Sequence, residues 1–194
     1  MSAQLSLAVS LRNDATFVNF LTTDASRAQA RQLLVDGEGC ATHLVYLWGG
    51  KGAGVSHFAQ AACNAFSEAR KTLQYLPLAE LKDIEVESML DGLERQELVC
   101  LDGIHNVCGS AQWERALFNL YNKLVSGGHL LVVTADAPPA QLPIVLPDLA
   151  SRLTSGITFH FASYGDADKI AILRFRAARL GFDLTDDVAG YILN

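Results

Sequence analysis

Short, nearly continuous apolar segments recur along the chain and are separated by longer amphipathic segments. The apolar segments have the length and content of buried strands, and they are His43–Trp48, Leu73–Leu76, Leu98–Asp102, His129–Thr134 and Ile157–Phe161. Strands that alternate with helices form a parallel sheet that is covered on both faces. The pattern therefore predicts an α/β fold in which ligands bind at the carboxyl ends of the strands.

The amphipathic segments predict the helices that cover this sheet. Trp113, Leu117, Leu120 and Leu124 recur at helical spacing and mark one apolar face. The other predicted helices are Ala25–Val35, Ser56–Arg70, Leu81–Leu93, Asp168–Leu180 and one that begins at Asp186. Because these segments precede, separate or follow the predicted strands, they complete a layered α/β arrangement.

The change of pattern after Phe161 indicates a domain division, since only helical segments follow it. We expect an N-terminal peptide and linker at 1–23, an α/β core at 24–163 and the first part of a helical lid at 164–194. An amphipathic helix does not bury its apolar face alone, so we expect the lid to include further helices.

Gly49–Ser56 contains most of a phosphate-binding loop. The usual pattern is G-x-x-x-x-G-K-[ST], and here Val55 replaces the lysine. Glycines let backbone N–H groups converge on phosphate oxygens, whereas the lysine stabilises charge on the transferred phosphate. The predicted nucleotide contacts in this region are Gly49, Gly50, Lys51, Gly52, Ala53, Gly54, Val55, Ser56 and His57. The segment therefore predicts nucleotide binding with weak hydrolysis or none.

The loop also has a simpler interpretation, as a glycine-rich turn that binds no ligand. The predicted strand before it, the predicted helix after it and the hydroxyl of Ser56 argue against this interpretation. Lys51, at the third position of the loop, either leans onto a phosphate or is simply solvated, and the sequence favours solvation.

Leu98–Asp102 has the pattern of a Walker B strand, an apolar strand whose terminal aspartate helps to hold magnesium. Ser56 and Asp102 are therefore the predicted protein ligands of a nucleotide-bound Mg²⁺ ion. Most such ATPases have a water-activating carboxylate after the aspartate, but here the next residue is Gly103. We expect a degenerate ATPase that is not itself an enzyme.

Composition narrows the choice of partners and location. The net charge is −6 and the pI about 5.3, so a basic face over the whole domain is not expected. The 4 cysteines form no C-x-x-C pair, and no zinc site is indicated. No signal-peptide pattern or membrane-spanning apolar run is found in the sequence. We expect a cytoplasmic protein with reduced thiols, no membrane partner and no direct sequence-specific DNA binding.

Two further segments are ambiguous when each is taken alone. Arg152 ends a short predicted helix, where it is either paired with Asp148 on the surface or exposed as an arginine finger for a neighbouring subunit's nucleotide. Gln4-Leu5-Ser6-Leu7 is either an edge strand or tail, or an extended peptide that docks into a partner's apolar pocket. Spacing alone favours the surface pair and the edge strand or tail.

Several segments together resemble the Hda family, the DnaA-related inactivators of bacterial replication initiation within the AAA+ ATPases. These segments are Thr16–Phe20, Tyr46–Gly49, Leu98–Asp102, Ala116–Asn122 and Leu146–Leu153, and the last is the most specific. The resemblance covers nearly all of the chain. It implies an AAA+ domain that binds ADP or ATP with Mg²⁺, with Asp136 at the sensor 1 position.

The resemblance also implies partners and a mechanism. A Q-L-x-L peptide, matched by Gln4, Leu5, Ser6 and Leu7, docks in this family into the sliding clamp of DNA polymerase. An arginine finger, matched by Arg152, promotes hydrolysis of the ATP held by the initiator DnaA, so that origins do not fire twice. Self-association and a place on the nucleoid through the clamp are further expectations.

Two other functions remain open. An active P-loop ATPase would use Lys51 in place of the lost lysine. A DnaA-like initiator or helicase loader would bind DNA, but the sequence shows neither a helix-turn-helix pattern nor a basic stripe.

Overall fold

The computed structural model describes residues 11–35 and 42–193. Its strands are β1 (Leu44–Trp48), β2 (Leu73–Pro77), β3 (Leu98–Asp102), β4 (Leu130–Ala135) and β5 (Ile157–His160). They form one 5-stranded sheet in the order β2-β3-β4-β1-β5, and all its pairs are parallel. The α/β class predicted from the sequence is confirmed, and so is each predicted strand.

Helices cover both faces of the sheet. They are α1 (Ala25–Val35), α2 (Val55–Glu68), α3 (Leu78–Leu81), α4 (Val86–Leu90), α5 (Ala111–Ser126), α6 (Pro147–Ser155), α7 (Asp166–Arg179) and α8 (Asp186–Leu193). Short 3-10 helices lie at Phe17–Asn19, Leu93–Arg95, Ile104–Asn106 and Pro139–Gln141. Residues of α1 and α2 pack on one face, and residues of α3 to α6 pack on the other.

The strands are buried on both sides, which explains why they are continuous apolar runs in the sequence. On β1, Leu44 and Tyr46 belong to the apolar layer under α5 and α6. Val45 and Leu47 belong to the layer under α1 and α2, because successive side chains of a strand point to opposite faces. The sheet therefore separates the apolar core into two layers, one on each of its faces.

The segment 81–93 is the one predicted helix that is wrong. The chain forms α3, a turn, α4 and then the 3-10 helix at Leu93–Arg95. Leu81 and Val86 are both buried in the same apolar layer, but residues at this spacing lie about 140° apart around a continuous α-helix. The break lets both side chains reach the core, which a single helix does not allow.

The helical pattern predicted after Phe161 is confirmed by α7 and α8, which pack against each other. Apolar side chains of this region are poorly covered: Tyr191 and Ile192 of α8 are exposed, and so is Phe182 in the connection between the two helices. Across residues 11–35 and 42–193, no helix has both the length and the apolar content needed to cross a membrane. The predicted clamp-binding peptide, Gln4–Leu7, lies outside the described residues.

Candidate functional site

The loop between β1 and α2 has a backbone that requires its glycines. Gly52 and Gly54 have φ angles of +85° and +83°, in the region that favours glycine. Gly49 is constrained by close packing, since a Cβ there would lie 2.4 Å from the carbonyl oxygen of Phe161. The loop conformation therefore depends on Gly49 and Gly54, which the phosphate-binding pattern requires, and also on Gly52, which it does not.

α2 begins directly at the end of this loop. Its N-cap residue is Gly54, which has no side chain to accept hydrogen bonds from the first turn. The first N–H groups of an α-helix lack partners within the helix and carry partial positive charge. The strand, loop and helix thus form the kind of site that binds a phosphate group.

Ser56 and Asp102 come together at the carboxyl edge of the sheet. The Ser56 hydroxyl donates to Oδ1 of Asp102 at 3.0 Å. Thr134 of β4 donates its hydroxyl to the same oxygen and accepts the N–H of Gly103 at 2.8 Å. The first helical turn and the ends of two strands therefore meet in one polar cluster.

The chemistry of the Ser56–Asp102 pair fits Mg²⁺. This ion prefers hard oxygen ligands, often one or two carboxylates together with phosphate oxygens and water. Among the described residues, no group of 3 or more His, Cys, Asp and Glu side chains could hold a metal ion. Ser56 and Asp102 would therefore hold Mg²⁺ only together with oxygens of a nucleotide and of water.

Tyr75 of β2 is a partner of Asp102 that the sequence analysis missed. Its hydroxyl donates to Oδ2 of Asp102 at 2.5 Å and accepts from the side-chain amide of Gln60 at 3.0 Å. Burial, followed by the adjacent carboxylate, raises the pKa of Tyr75, so the phenol keeps the proton that it donates. The hydrogen bond depends on how β2 and β3 are aligned, and the sequence gives no signal for that alignment.

Replacing Tyr75 by phenylalanine is expected to lower the free energy of unfolding by about 1.5–3 kcal/mol, the usual contribution of a hydrogen bond to a charged group. Urea denaturation measures the change. Tyr121→Phe is the matched control, because its hydroxyl has no hydrogen-bond partner among the residues that the structure describes. Equal stability of the two variants would contradict a structural role for the Tyr75–Asp102 bond.

Position 55, where the lysine is missing, is packed with apolar groups. Val55 is the first residue of α2 and lies in the same buried layer as Phe17 and Phe58. Lys51 is exposed and makes no ion pair within 11–35 and 42–193. The loop therefore offers backbone N–H groups but no cation at the usual position of the lysine.

Arg27 of α1 lies beside the loop and is a buried cation that the sequence analysis also missed. Its guanidinium pairs with Asp24 and donates to the carbonyl oxygens of Ala53 and Ala162 at 2.9 and 2.7 Å. The guanidinium carbon also lies 4.3 Å from the ring centre of Tyr164. Arg27 therefore ties the glycine loop to α1 and to the segment that leads into α7.

His57, in the first turn of α2, is half-buried against the ring of Phe20. Burial lowers its pKa from the ordinary value of 6.5, and the charges of Arg176 and Arg12 lower it further. The backbone of Thr16 and the carboxylate of Asp14 act in the opposite direction but are smaller causes. The folded protein thus favours the neutral imidazole.

This shift makes stability depend on pH. Because the folded pKa of His57 is lowered, its stabilising contribution is present above the unfolded value of 6.5 and is lost as the pH falls from there through the folded pKa. We expect His57→Gln to lose less stability than the unmodified protein between pH 7 and pH 5, as measured by urea denaturation. Parallel pH profiles would contradict the assignment to His57.

Asp136 follows β4 at the carboxyl edge, where the resemblance places the sensor 1 residue. Its side chain is largely exposed, and Oδ1 lies 3.6 Å from Nδ1 of His105. His105 follows β3, so the two residues extend the polar edge formed by Ser56 and Asp102. A sensor role for Asp136 stays a prediction.

Arg152 lies in the last turn of α6, on the opposite face of the sheet from α2. It is exposed, and its guanidinium carbon is 5.8 Å from the ring centre of Tyr121 on α5. The surface pair with Asp148 is not formed, and no carboxylate of the described residues pairs with Arg152. The structure therefore leaves this cation available to another molecule and separates it from the loop of its own chain.

The sheet, the glycine loop and the aspartate at the end of β3 define a P-loop domain of the AAA+ class. Residues 11–160 match the family described as the bacterial DnaA ATPase domain. The chain belongs to this family, which confirms the predicted relationship to DnaA. Membership of the Hda branch stays a prediction.

Solved structures of replication initiators share the fold. Domain III of the Thermotoga maritima replication initiation protein DnaA has a TM-score of 0.78 and 20% identity, over 94% of this chain and 81% of that one. AMPPCP-bound DnaA from Aquifex aeolicus has a TM-score of 0.80 and 20% identity, over 94% and 61%. A DNA replication initiation factor has the same TM-score and identity, over 94% and 60%. The chain thus spans about three fifths of the length of the last two proteins.

Proposed function

We propose that this protein is a regulatory inactivator of replication initiation, an Hda-like adaptor that stimulates hydrolysis of the ATP bound to DnaA. The sliding clamp on DNA would recruit it through the segment 1–23. Its AAA+ core, 24–163, would then place Arg152 against the nucleotide of the initiator, with the helices of 164–194 acting as part of a lid.

One observation carries this proposal, namely the unpaired and exposed state of Arg152 on α6. An arginine finger has to reach charge that develops on a phosphate in another subunit. An arginine paired with a carboxylate of its own surface would lose that pairing first, whereas Arg152 pairs with no carboxylate of residues 11–35 and 42–193 and lies beside the ring of Tyr121. Its place on the face away from α2 supports action in trans rather than on the protein's own loop.

The protein's own loop supports a second part of the proposal, the binding of ADP or ATP with Mg²⁺ and little turnover. The free amides of α2 and the Ser56–Asp102 pair favour binding. Val55 and Gly103 remove the lysine and the water-activating carboxylate that turnover requires. DnaA from Aquifex aeolicus, which shares the fold, was solved with AMPPCP bound.

A single-turnover assay tests the main proposal. DnaA is loaded with radiolabelled ATP, free nucleotide is removed, and the formation of ADP is followed with and without this protein and clamp-loaded DNA. Acceleration that requires both additions supports the adaptor. An unchanged rate, with the two proteins shown to be in contact, would contradict it.

Recruitment by the clamp gives a separate prediction. Joint replacement of Gln4 and Leu5 by alanine is expected to weaken clamp binding at least tenfold, because it removes two of the anchors of an extended docking peptide. Surface plasmon resonance on immobilised clamp measures the affinity, and Ser6→Ala is the control. Unchanged affinity of the double variant would refute the peptide assignment.

An active ATPase is the second candidate, and the intact Ser56–Asp102 contact is the observation that favours it. In that case Lys51 would replace the lost lysine. Steady-state ATP hydrolysis by the isolated protein, abolished in Lys51→Ala, would establish this function. No turnover above background would leave the loop with a binding role.

A further inference from the structure

The helix that carries Arg152 has no capping group of its own. The N-cap residue of α6 is Leu146, whose side chain has no oxygen to accept hydrogen bonds, and the next residue is Pro147. Helices usually begin at a residue such as Ser, Thr, Asp or Asn, which satisfies the free N–H groups and fixes the direction of the chain. The side chain at the start of α6 therefore does not fix the direction in which the chain enters the helix.

Glu114 of α5 fixes the chain just before this helix from outside it. Its Oε2 accepts the N–H groups of Val145 and Leu146 at 2.9 and 2.6 Å. Its Oε1 accepts the N–H of Gly109 at 2.7 Å and that of Val145 at 3.1 Å. One carboxylate thus holds together the chain before α5, α5 itself and the start of α6.

The surroundings of Glu114 are unusual for a carboxylate. Only 1% of the residue is exposed, and no basic side chain of the described residues forms an ion pair with it. A buried carboxylate is unfavourable unless hydrogen bonds satisfy it, and here backbone N–H groups alone do so. A buried leucine or methionine at this position would fill the space without accepting any of these bonds.

We propose that Glu114 is a positioning residue for Arg152, which it serves by fixing the start of α6 against α5. The inference rests on the function proposed above for Arg152.

The geometry of α6 explains why this anchor matters. Arg152 lies about 9 Å along the helix axis from Leu146, at the usual rise of about 1.5 Å per residue. Leu149 and Leu153 hold one side of the helix in the core, but packed helices can still slide and turn by small amounts. Catalytic groups need positions accurate to about 0.5 Å. Glu114 provides the polar contacts that define the direction of the helix.

Glu114→Gln tests the inference, because it keeps the shape of the side chain and replaces one accepting oxygen by a donor. Stimulated hydrolysis of DnaA-bound ATP is measured as a function of the concentration of this protein. We expect the maximal rate to fall at least tenfold, with the half-saturating concentration unchanged within about twofold. Loss of folding alone would reduce the active concentration instead and shift the half-saturating value.

Glu87→Gln is the matched control, since Glu87 is exposed and its side chain accepts one hydrogen bond from the described residues, from Gln112 at 2.9 Å. If Glu114→Gln does not fold, Glu114→Asp answers the same question, because it keeps the charge but withdraws the carboxylate from α6. A reduced maximal rate in that variant supports the inference, and an unchanged rate overturns it.

The outcomes separate this inference from the proposed function. Suppose that the unmodified protein stimulates hydrolysis, that Arg152→Ala abolishes the stimulation and that Glu114→Gln leaves it unchanged. This result overturns the role of Glu114 and leaves the proposed function of Arg152 intact. No stimulation by the unmodified protein, or full stimulation by Arg152→Ala, overturns the function of Arg152 and the inference with it.

Discussion

Replacing Arg152 by alanine is expected to return the hydrolysis of DnaA-bound ATP to the rate of DnaA alone. An arginine finger contributes about 10³–10⁵ in rate, because its guanidinium stabilises negative charge that develops on the phosphate in the transition state. The protein itself should stay folded, since Arg152 is exposed and its side chain forms no ion pair or hydrogen bond within the described part of the chain. Single-turnover hydrolysis measures the rate, and binding to DnaA and to the clamp is measured in parallel.

Two further variants make this test specific. Arg115→Ala removes an exposed arginine of α5, whose side chain bonds to the carbonyl of Ala111 in its own helix, and should keep full stimulation. Arg152→Lys keeps the charge but not the planar pair of donors, and should restore only a small part of the rate. Full stimulation by Arg152→Ala would show that α6 does not carry the chemistry.

Replacing Arg27 by methionine is expected to lower the free energy of unfolding by about 3–5 kcal/mol, because two hydrogen bonds from a buried charged group are lost and each contributes about 1.5–3 kcal/mol. The change leaves Asp24 without its cation, and the carbonyl oxygens of Ala53 and Ala162 without a donor. Because Ala53 belongs to the glycine loop in which we propose that the nucleotide binds, affinity for ADP should fall together with stability. Urea denaturation and calorimetric titration with ADP measure the two effects.

Arg31→Met is the matched control for this prediction. Arg31 lies one turn further along α1 and is exposed, with its guanidinium carbon 5.4 Å from the ring centre of Phe17. We expect a loss of no more than about 0.5 kcal/mol for such a surface change. A similar loss in the two variants would mean that Arg27 acts through helix α1 as a whole and not through the loop.

The fold could be predicted from the sequence because its strands are short, apolar and buried on both sides. The segment 81–93 could not, because its apolar residues fit a helix locally and only the shared core layer requires the break between Leu81 and Val86. Burial of both residues is a property of the tertiary structure, and it overrides the local helical pattern.

The candidate site likewise contains some residues that could be predicted from the sequence and others that could not. Gly49, Gly54, Ser56 and Asp102 follow known motifs, so their positions at the carboxyl edge could be predicted. Arg27 could not, since its partner Ala162 lies 135 residues away and the contact is to a backbone oxygen.

Glu114 and Tyr75 were missed for a related reason. Glu114 bonds to backbone N–H groups of a distant loop, and Tyr75 contacts Asp102 across neighbouring strands. No motif records contacts of this kind, which depend on how the helices and strands are packed. A charged residue on the apolar side of α5 was the one available signal, because Glu114 follows Trp113 directly in a helix whose buried face the sequence already indicated.

The position of Arg152 in a complex of this protein with AMPPCP-bound DnaA tests the account most directly. We predict that its guanidinium lies within hydrogen-bond distance, about 3 Å, of the terminal phosphate of the nucleotide held by DnaA. A complex in which Arg152 still lies over Tyr121 and a different cation contacts that phosphate would contradict the account.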